Sequence, residues 1–177
     1  MGFENNKIAE ENNKIEKYIK IMDKVIFEHI TDEDIVLIKK WLQKDYIKKW
    51  YDPINDWIYE IENRSGEFNF IKHFIVKNGS EKIGFCQYYD CFLAQEDWYK
   101  INEKGITYSI DYLIGERNYL NKGFGKEIVK GLVEKIKMEN AMEIIVKPEL
   151  ENIQSGKVLI ANGFIYDNNR KYYYKKL

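Results

Sequence analysis

Two closely spaced glycines, Gly123 and Gly125, stand directly before a segment with strong helical periodicity. Glycine lets successive backbone N–H groups converge on one spot, and the positive end of a helix dipole at that spot favours an anion. The loop has no Lys-Ser/Thr ending of a P-loop, and no further glycine pair completes a dinucleotide fingerprint. By itself the pattern indicates either an anion site or a tight turn without a ligand.

A single carboxylate, Asp111, interrupts an apolar and aromatic strand just upstream of these glycines. A lone charge among apolar neighbours costs free energy, which favours a functional reason for keeping it. A carboxylate held in a half-buried site can act as a general base. We predict a catalytic role for Asp111, and the alternative is an edge-strand carboxylate that faces solvent.

The elements that must position these residues follow from the hydrophobic pattern, which predicts a strand over 106–114, a loop over 115–125 and a helix over 126–140. A capping box that begins at Thr31 starts a helix after a strand over 25–30. The other predicted elements are a helix from Trp57, strands over 70–77 and 82–89 with a turn at Asn78-Gly79, a strand over 143–146, a helix over 154–161 and a strand over 172–174. This order predicts a mixed α/β (α+β) domain in which later strands pair in parallel through a crossover helix.

One domain, residues 24–177, accounts for most of the 177-residue chain. Residues 1–23 are predicted to form an N-terminal helical extension, because apolar side chains recur there at helical spacing. The narrow apolar face of that helix would pack on the same domain or on a dimer partner. The protein is therefore expected to be a monomer or a homodimer.

The composition excludes several classes of protein. Lys and Arg number 28 against 29 Asp and Glu, and this balance argues against a nucleic-acid partner bound through a bulk positive field. No apolar run approaches the roughly 20 residues that span a bilayer, and the polar N-terminus lacks a signal-peptide pattern, so a cytoplasmic protein without a membrane partner is expected. Cys86 and Cys91 are expected to be packed thiols, and no metal site is expected. His29 and His73 have no carboxylate or Cys at an informative spacing and are assigned structural roles.

The segment 108–132, YSIDYLIGERNYLNKGFGKEIVKGL, resembles motif A of the GNAT superfamily of acetyl-CoA-dependent N-acetyltransferases. Within that superfamily it is most similar to the aminoglycoside 6′-N-acetyltransferases, whose strand carries an Asp and an apolar pair before Gly-Glu and a loop that ends in Lys-Gly-x-Gly. The resemblance extends from about residue 25 to about residue 165 and includes the Ile83–Gln87 strand and Gly163-Phe164. It implies the GNAT fold, a mostly antiparallel sheet with a parallel, splayed strand pair and flanking helices.

The resemblance also implies an activity, which is direct transfer of the acetyl group of acetyl-CoA to a small-molecule amine, without a metal. It implies that Asp111 is the catalytic residue and that the acceptor is the 6′-amine of an aminoglycoside. The residues that it assigns to the cofactor are Tyr112, Leu113, Ile114, Leu120, Asn121, Lys122, Gly123, Phe124, Gly125, Lys126 and Asn152. The residues that it assigns to the acceptor are Trp50, Tyr51, Gln87 and Asp111. By residue type, Trp98 is a further candidate for the acceptor cleft, and Asp97 and Glu96 beside it are candidates for a negative rim that binds a cationic substrate.

Two departures from the family pattern leave other functions open. Lys147-Pro148 stands where these enzymes typically have Asp-Pro, whose carboxylate contacts a cationic aminoglycoside. This favours an N-acetyltransferase for a different amine, such as a peptide terminus, a polyamine or a metabolite. Leu159 stands where the last helix of the family carries a Tyr that protonates the departing thiolate, and this favours a non-catalytic module that binds acyl-CoA.

Overall fold

A seven-stranded sheet forms the centre of the protein in the computed structural model, which describes residues 25–177. The strands are β1 (Val25–His29), β2 (Lys72–Asn78), β3 (Glu81–Asp90), β4 (Thr107–Ile114), β5 (Glu143–Val146), β6 (Ile165–Asp167) and β7 (Tyr172–Lys176). They lie in the order β1-β2-β3-β4-β5-β7-β6 and are antiparallel except for the pair β4–β5. The predicted N-terminal helix lies outside the described residues.

The helices flank this sheet. They are α1 (Asp32–Leu42), α2 (Asp45–Lys48), α3 (Ile54–Glu62), α4 (Cys91–Ala94), α5 (Phe124–Met138) and α6 (Ile153–Ala161), with a 3₁₀-helix at Arg117–Tyr119. The predicted capping box starts α1, because the backbone N–H of Thr31 donates to the Asp34 carboxylate at 2.8 Å. No helix within residues 25–177 is long and apolar enough to cross a membrane.

The sheet buries a separate apolar core on each face. Helices α5 and α6 supply Ile128 and Leu159 to one core, which includes Ile110 of β4. Helices α1 and α3 close the other core, where Trp41 packs with Leu113 of the same strand. Because successive strand residues point to opposite faces, odd and even positions of β4 after residue 110 serve different cores. The side chains of 111 and 113 therefore share the α1–α3 face, and those of 112 and 114 share the α5–α6 face.

The parallel strands β4 and β5 separate soon after they begin. Their register pairs are Thr107 with Glu143 and Tyr108 with Ile144, whereas β4 stays paired with β3 as far as Ile114. A gap therefore opens beside the second half of β4, at the carboxyl ends of the two parallel strands and close to the starts of α5 and α6. In open α/β sheets such a crevice is the usual place for a ligand.

The sequence patterns predicted most elements to within a few residues, including the four-residue β5, and missed three short ones. The three-residue β6 and the four-residue α2 and α4 were not predicted, because so few residues show no readable period. Helix α5 begins at Phe124, two residues before the predicted start, and the 3₁₀-helix lies inside the predicted loop. Strand β6 is held by its antiparallel pairing with β7, which local sequence does not encode.

Candidate active site

Asp111 lies in the middle of β4 and is half-buried on the α1–α3 face of the sheet. Gln87 is its register partner on β3, and Gln87 Nε2 donates to Asp111 Oδ2 at 3.1 Å. Burial, reinforced by the negative charges of Glu60 and Glu96, raises the pKa of Asp111 to about 8. A carboxylate with that pKa is a much better proton acceptor than an ordinary Asp.

A polar row crosses three strands and ends at Asp111. His73, Gln87 and Asp111 lie opposite one another on β2, β3 and β4, and Glu60 of α3 approaches His73 Nε2 at 3.2 Å. Gln87 Oε1 is buried and has no hydrogen-bond partner among the described residues. No carboxylate lies at an informative sequence spacing from His73, but the fold supplies Glu60, because α3 packs over this face of the sheet.

Glu96, rather than its neighbour Asp97, is the acidic residue of the loop after α4 that acts on Asp111. Glu96 accepts hydrogen bonds from the Tyr89 hydroxyl at 2.7 Å and from the Trp98 indole N–H at 2.6 Å. Glu96 and Asp97 are both exposed to solvent, but these two donors hold the Glu96 carboxylate in place. The result is a fixed negative potential around Asp111, which attracts a cationic amine.

Trp50 and Tyr51, the aromatic pair before α3, lie in different surroundings. The Tyr51 hydroxyl donates to the Tyr112 carbonyl at 2.6 Å, and its ring meets Trp57 edge-on with centroids 4.8 Å apart. Trp50 is half-buried, and the Lys49 ammonium lies 4.3 Å from its ring centroid. The structure therefore brings Tyr51 onto β4 next to Asp111, and Tyr51 fixes the backbone there.

Trp98 joins the loop after α4 to the last strands of the sheet. Its ring meets Tyr172 of β7 edge-on, with centroids 5.6 Å apart. Lys147, the residue directly after β5, places its ammonium 5.9 Å from the centroid of the Trp98 ring. A positive charge therefore stands beside Trp98, where sequence analysis expected an acceptor contact.

The edge of β4 that faces the gap carries free backbone groups. The N–H of Gly115 donates to the Ile83 carbonyl at 2.8 Å, so Gly115 and Ile83 form a hydrogen-bonded pair of the β3–β4 ladder. Because antiparallel partners alternate between bonded and non-bonded pairs, Tyr112 and Ile114 fall in the non-bonded pairs. Their N–H groups therefore point away from β3 and into the gap, where no strand of the described chain covers them.

The side chains of the same stretch point to two faces. Tyr112 and Ile114 pack towards α5 and α6, but Leu113 is buried in the core around Trp41. Leu113 can therefore contribute only its main chain to a ligand in the gap.

The first turn of α5 offers an open anion site. Its N-cap, Gly123, has a φ of +91°, which favours glycine, and a Cβ built there would meet no atom of the described chain within 4 Å. The N–H groups of a first helical turn have no partner inside the helix. Asn121 and Lys122 are exposed beside this opening, whereas the Phe124 ring packs edge-on against Tyr119 at 5.0 Å between centroids.

Three further residues assigned to the cofactor lie around this helix start. Leu120 is half-buried at the end of the 3₁₀-helix. A Cβ built on Gly125 would lie 3.6 Å from the Tyr112 ring, which is ordinary contact. The Lys126 carbonyl accepts a hydrogen bond from Asn162 Nδ2 at 3.2 Å and so ties α5 to α6.

The start of α6 brings a hydroxyl pair to the same gap. The Asn152 side chain caps this helix by accepting the Ser155 N–H at 3.1 Å. The Ser155 hydroxyl lies 3.3 Å from that of Tyr112, so the two can share a hydrogen bond. Leu159, one turn further, is completely buried in the core. Tyr112 was predicted as a cofactor residue, but its pairing with Ser155 could not be predicted, because the two residues are 43 positions apart in the chain.

The predicted site residues form two groups, one around Asp111 and one around the first turns of α5 and α6. Gln87, Tyr51 and Asp111 meet on the α1–α3 face, and Tyr112 and Gly123 meet the gap from the α5–α6 face. Among residues 25–177, no three His, Cys, Asp or Glu side chains are grouped as a metal site would require.

Comparisons with known proteins agree with this architecture. The Klebsiella pneumoniae aminoglycoside N(6′)-acetyltransferase type 1 is 23% identical over 119 residues, which are 63% of this chain and 59% of that protein. The structure of AAC(6′)-Ib with paromomycin and acetyl-CoA superposes with a TM-score of 0.73 at 19% identity, over 86% of this chain and 93% of that one. An aminoglycoside N(6′)-acetyltransferase from Legionella pneumophila gives a TM-score of 0.67 at 15% identity, over 87% and 91% of the two chains.

These structural matches establish the fold, which is the predicted one. The family assignment rests on the sequence, because the model of the acetyltransferase (GNAT) domain matches residues 20–165. The chain therefore belongs to the GNAT acetyltransferase family.

Proposed function

We propose that this protein transfers the acetyl group of acetyl-CoA to a primary amine. The observation that carries the proposal is Asp111, a carboxylate with a pKa of about 8 that stands beside the uncovered edge of β4. It rests on the α1–α3 face, and the open helix start lies across the gap. The site thus offers a proton acceptor and an anion site on the two sides of one strand.

The residues of the gap fit the parts of acetyl-CoA. The N–H groups at the start of α5, in front of Gly123, would hold the pyrophosphate, and exposed Lys122 adds positive charge nearby. The free N–H groups of Tyr112 and Ile114 would pair with the amides of the pantetheine arm or with the thioester oxygen. When bound, acetyl-CoA supplies an acetyl group activated as a thioester. A backbone N–H aimed at its carbonyl oxygen would stabilise the negative charge that develops there.

Asp111 would prepare the acceptor for attack. An alkyl amine is mostly protonated at neutral pH, since its ordinary pKa is about 10.4. The Asp111 pKa of about 8 is closer to the pKa of the amine than the pKa of an ordinary carboxylate is. Asp111 therefore takes the proton at a lower cost in free energy. The hydrogen bond from Gln87 at 3.1 Å holds the carboxylate in place. The amine and the thioester would then meet directly, without an acyl-enzyme, because proximity itself lowers the barrier.

The acceptor that we propose is the 6′-amine of an aminoglycoside. Glu60 and Glu96 surround Asp111 with negative charge, which suits a molecule with several ammonium groups. The similarity to aminoglycoside N(6′)-acetyltransferases supports the same acceptor class.

A second candidate acceptor is an amine with fewer positive charges, such as a peptide terminus or a metabolite. The observation in its favour is Lys147, whose ammonium lies 5.9 Å from the Trp98 ring at the end of β5. That charge would repel a polycation bound near Trp98. A module that binds acyl-CoA without transferring the acetyl group is the non-enzymatic alternative.

The test is release of free coenzyme A thiol by the purified full chain, with acetyl-CoA and a panel of amines. Two aminoglycosides that differ only in a 6′-amine or a 6′-hydroxyl form a matched pair. We expect turnover of the first and none of the second. Turnover confined to a polyamine, a peptide or a metabolite would contradict the aminoglycoside assignment and keep the acetyltransferase one. Tight binding of acetyl-CoA without turnover of any amine would contradict the enzymatic function.

A further inference from the structure

The Tyr112 phenol occupies the point where the gap beside β4 meets the first turns of α5 and α6. Its Cε2 atom is 3.6 Å from the position of a Cβ on Gly125, in the first turn of α5. Its hydroxyl is 3.3 Å from Ser155 Oγ, in the first turn of α6. The backbone N–H of the same residue opens into the gap. In the proposed function, the thioester lies along this part of β4. On that basis, we propose that the Tyr112 hydroxyl protonates the coenzyme A thiolate as it leaves.

The step balances with groups that the site contains. As the acceptor nitrogen bonds to the acetyl carbon, the carbon–sulfur bond breaks and its electron pair stays on sulfur. The Tyr112 hydroxyl proton moves to that sulfur. The phenolate that remains regains a proton from solvent through the Ser155 hydroxyl, which both donates and accepts hydrogen bonds. The nitrogen loses two protons in all: the first passes from the ammonium to Asp111 on the opposite face of the sheet, and the second leaves to solvent as the amide forms.

The surroundings make a proton donor necessary. Burial raises the pKa of Tyr112 to about 12, so the phenol keeps its proton through the neutral range. Burial also raises the pKa of the nearby Cys86 thiol well above its ordinary value. A thiolate released in such surroundings is likewise a stronger base than in water, because its charge is poorly solvated. Burial therefore increases the need for a donor at the position of the sulfur.

Other groups of the region are engaged elsewhere or lack a proton to give. The Tyr51 hydroxyl also reaches the gap edge of β4, but its proton is held in a 2.6 Å hydrogen bond to the Tyr112 carbonyl. The Tyr173 hydroxyl lies against Gly156, on the side of α6 that faces β7. Leu159 is apolar and buried at the position where the family pattern has a Tyr. Within the described chain, Tyr112 is thus the phenol that joins the gap to both helix starts.

Tyr112→Phe keeps the ring and removes the proton donor. In acetyl transfer by the full chain, we expect kcat to fall by about 10²–10⁴-fold at saturating substrates. The Kd for acetyl-CoA should change by less than about threefold, since the ring and the backbone N–H remain. Tyr173→Phe is the matched control, because it removes another phenol hydroxyl that packs on α6, and it should leave kcat unchanged. Ser155→Ala should lower kcat by a smaller factor than Tyr112→Phe.

A second readout does not depend on turnover. The pKa of the thiol of bound coenzyme A can be titrated through the ultraviolet absorbance of the thiolate. If Tyr112 donates to that sulfur, the thiol pKa should be about one unit higher in Tyr112→Phe than in the wild type or in Tyr173→Phe. Equal thiol pKa values in all three proteins, or a kcat of Tyr112→Phe within about twofold of the wild type, would overturn the assignment.

The two proposals fail in different ways. A wild-type protein that acetylates no amine contradicts the proposed function. An active wild type whose Tyr112→Phe variant keeps its kcat contradicts only the role of Tyr112. A loss of acetyl-CoA affinity as large as the loss of kcat would make Tyr112 a binding residue and would also overturn its role as a proton donor.

Discussion

Asp111 and Tyr112 are consecutive on β4, and their side chains serve opposite faces of the sheet. The Asp111 carboxylate accepts from Gln87 on the α1–α3 face, and the Tyr112 hydroxyl meets Ser155 on the α5–α6 face. The alternation of a strand places these two groups on either side of one backbone, next to the gap between β4 and β5. In the proposed reaction, the proton acceptor for the amine and the proton donor for the thiolate therefore approach one thioester from opposite faces of the sheet.

Replacing Asp111 by Asn tests the proton acceptor. The amide keeps the shape of the side chain but does not take a proton, so turnover should fall by about 10²–10⁴-fold. The affinity for acetyl-CoA, measured by calorimetry, should stay nearly unchanged. Asp56→Asn is the control, because that carboxylate is exposed and has no role in the proposed site, and it should keep normal turnover. Near-normal turnover of Asp111→Asn at saturating acceptor would show that another group takes the proton.

The dependence of turnover on pH should reflect the raised pKa of Asp111. The base is active only when deprotonated, so kcat/KM for the acceptor should rise with pH through a pKa of about 8. Glu96→Gln removes one of the negative charges that raise this pKa, so the rise in kcat/KM should then occur at lower pH. The control is Glu134→Gln, on the exposed side of α5. If kcat/KM rises at the same pH in the wild type and in Glu96→Gln, Glu96 does not influence the pKa of Asp111.

The same pKa shift predicts a pH-dependent stability. The folded protein holds a proton on Asp111 more tightly than the unfolded chain does, so this group favours the folded state below the ordinary Asp pKa. That contribution is lost as the pH rises from about 4 through about 8. Asp111→Asn should therefore raise Tm more in weakly alkaline buffer than in acid. A Tm difference that is independent of pH would contradict the raised pKa.

Gly123→Ala tests the anion site at the start of α5. The φ of +91° makes any side chain costly there, by about 1–2 kcal/mol, and the added methyl would also enter the open space before the helix. We expect a lower Tm and a loss of acetyl-CoA affinity of at least about tenfold. Gly79→Ala is the matched control, since it has a φ of +61° and open surroundings in the β2–β3 turn. It should lower Tm similarly and leave the affinity intact, and equal affinities of both variants would contradict the site.

Lys147→Asp tests whether that cation limits the binding of charged acceptors. Its ammonium lies 5.9 Å from the Trp98 ring, so reversing its charge should lower KM for a polycationic acceptor by about tenfold. The effect should shrink as salt is added, because exposed charges are screened. Lys137→Asp makes the same charge change at the far end of α5 and should leave KM unchanged. Equal KM values for the wild type and Lys147→Asp would place the Lys147 side chain away from the acceptor.

The central strand, loop and helix and the capping box of α1 can be predicted from the sequence. These depend on local patterns, namely apolar periodicity, glycines before a helix and a Thr followed by Asp at capping distance. The motif over 108–132 was also sufficient to identify the family, which the family model confirms. Local chemistry and a short motif need no knowledge of distant contacts.

The surroundings of Asp111, by contrast, depend on how distant parts of the chain pack. Glu60 comes from α3 and Glu96 from the loop after α4, and their effect on the pKa depends on distance and burial, which a sequence does not display. The choice of Glu96 over Asp97 rests on donors from Tyr89 and Trp98. The meeting of Tyr112 with Ser155 likewise required the crossover that packs α6 beside α5. Contacts between residues far apart in the chain form only when the sheet and its helices pack, and the electrostatics of the site follow from those contacts.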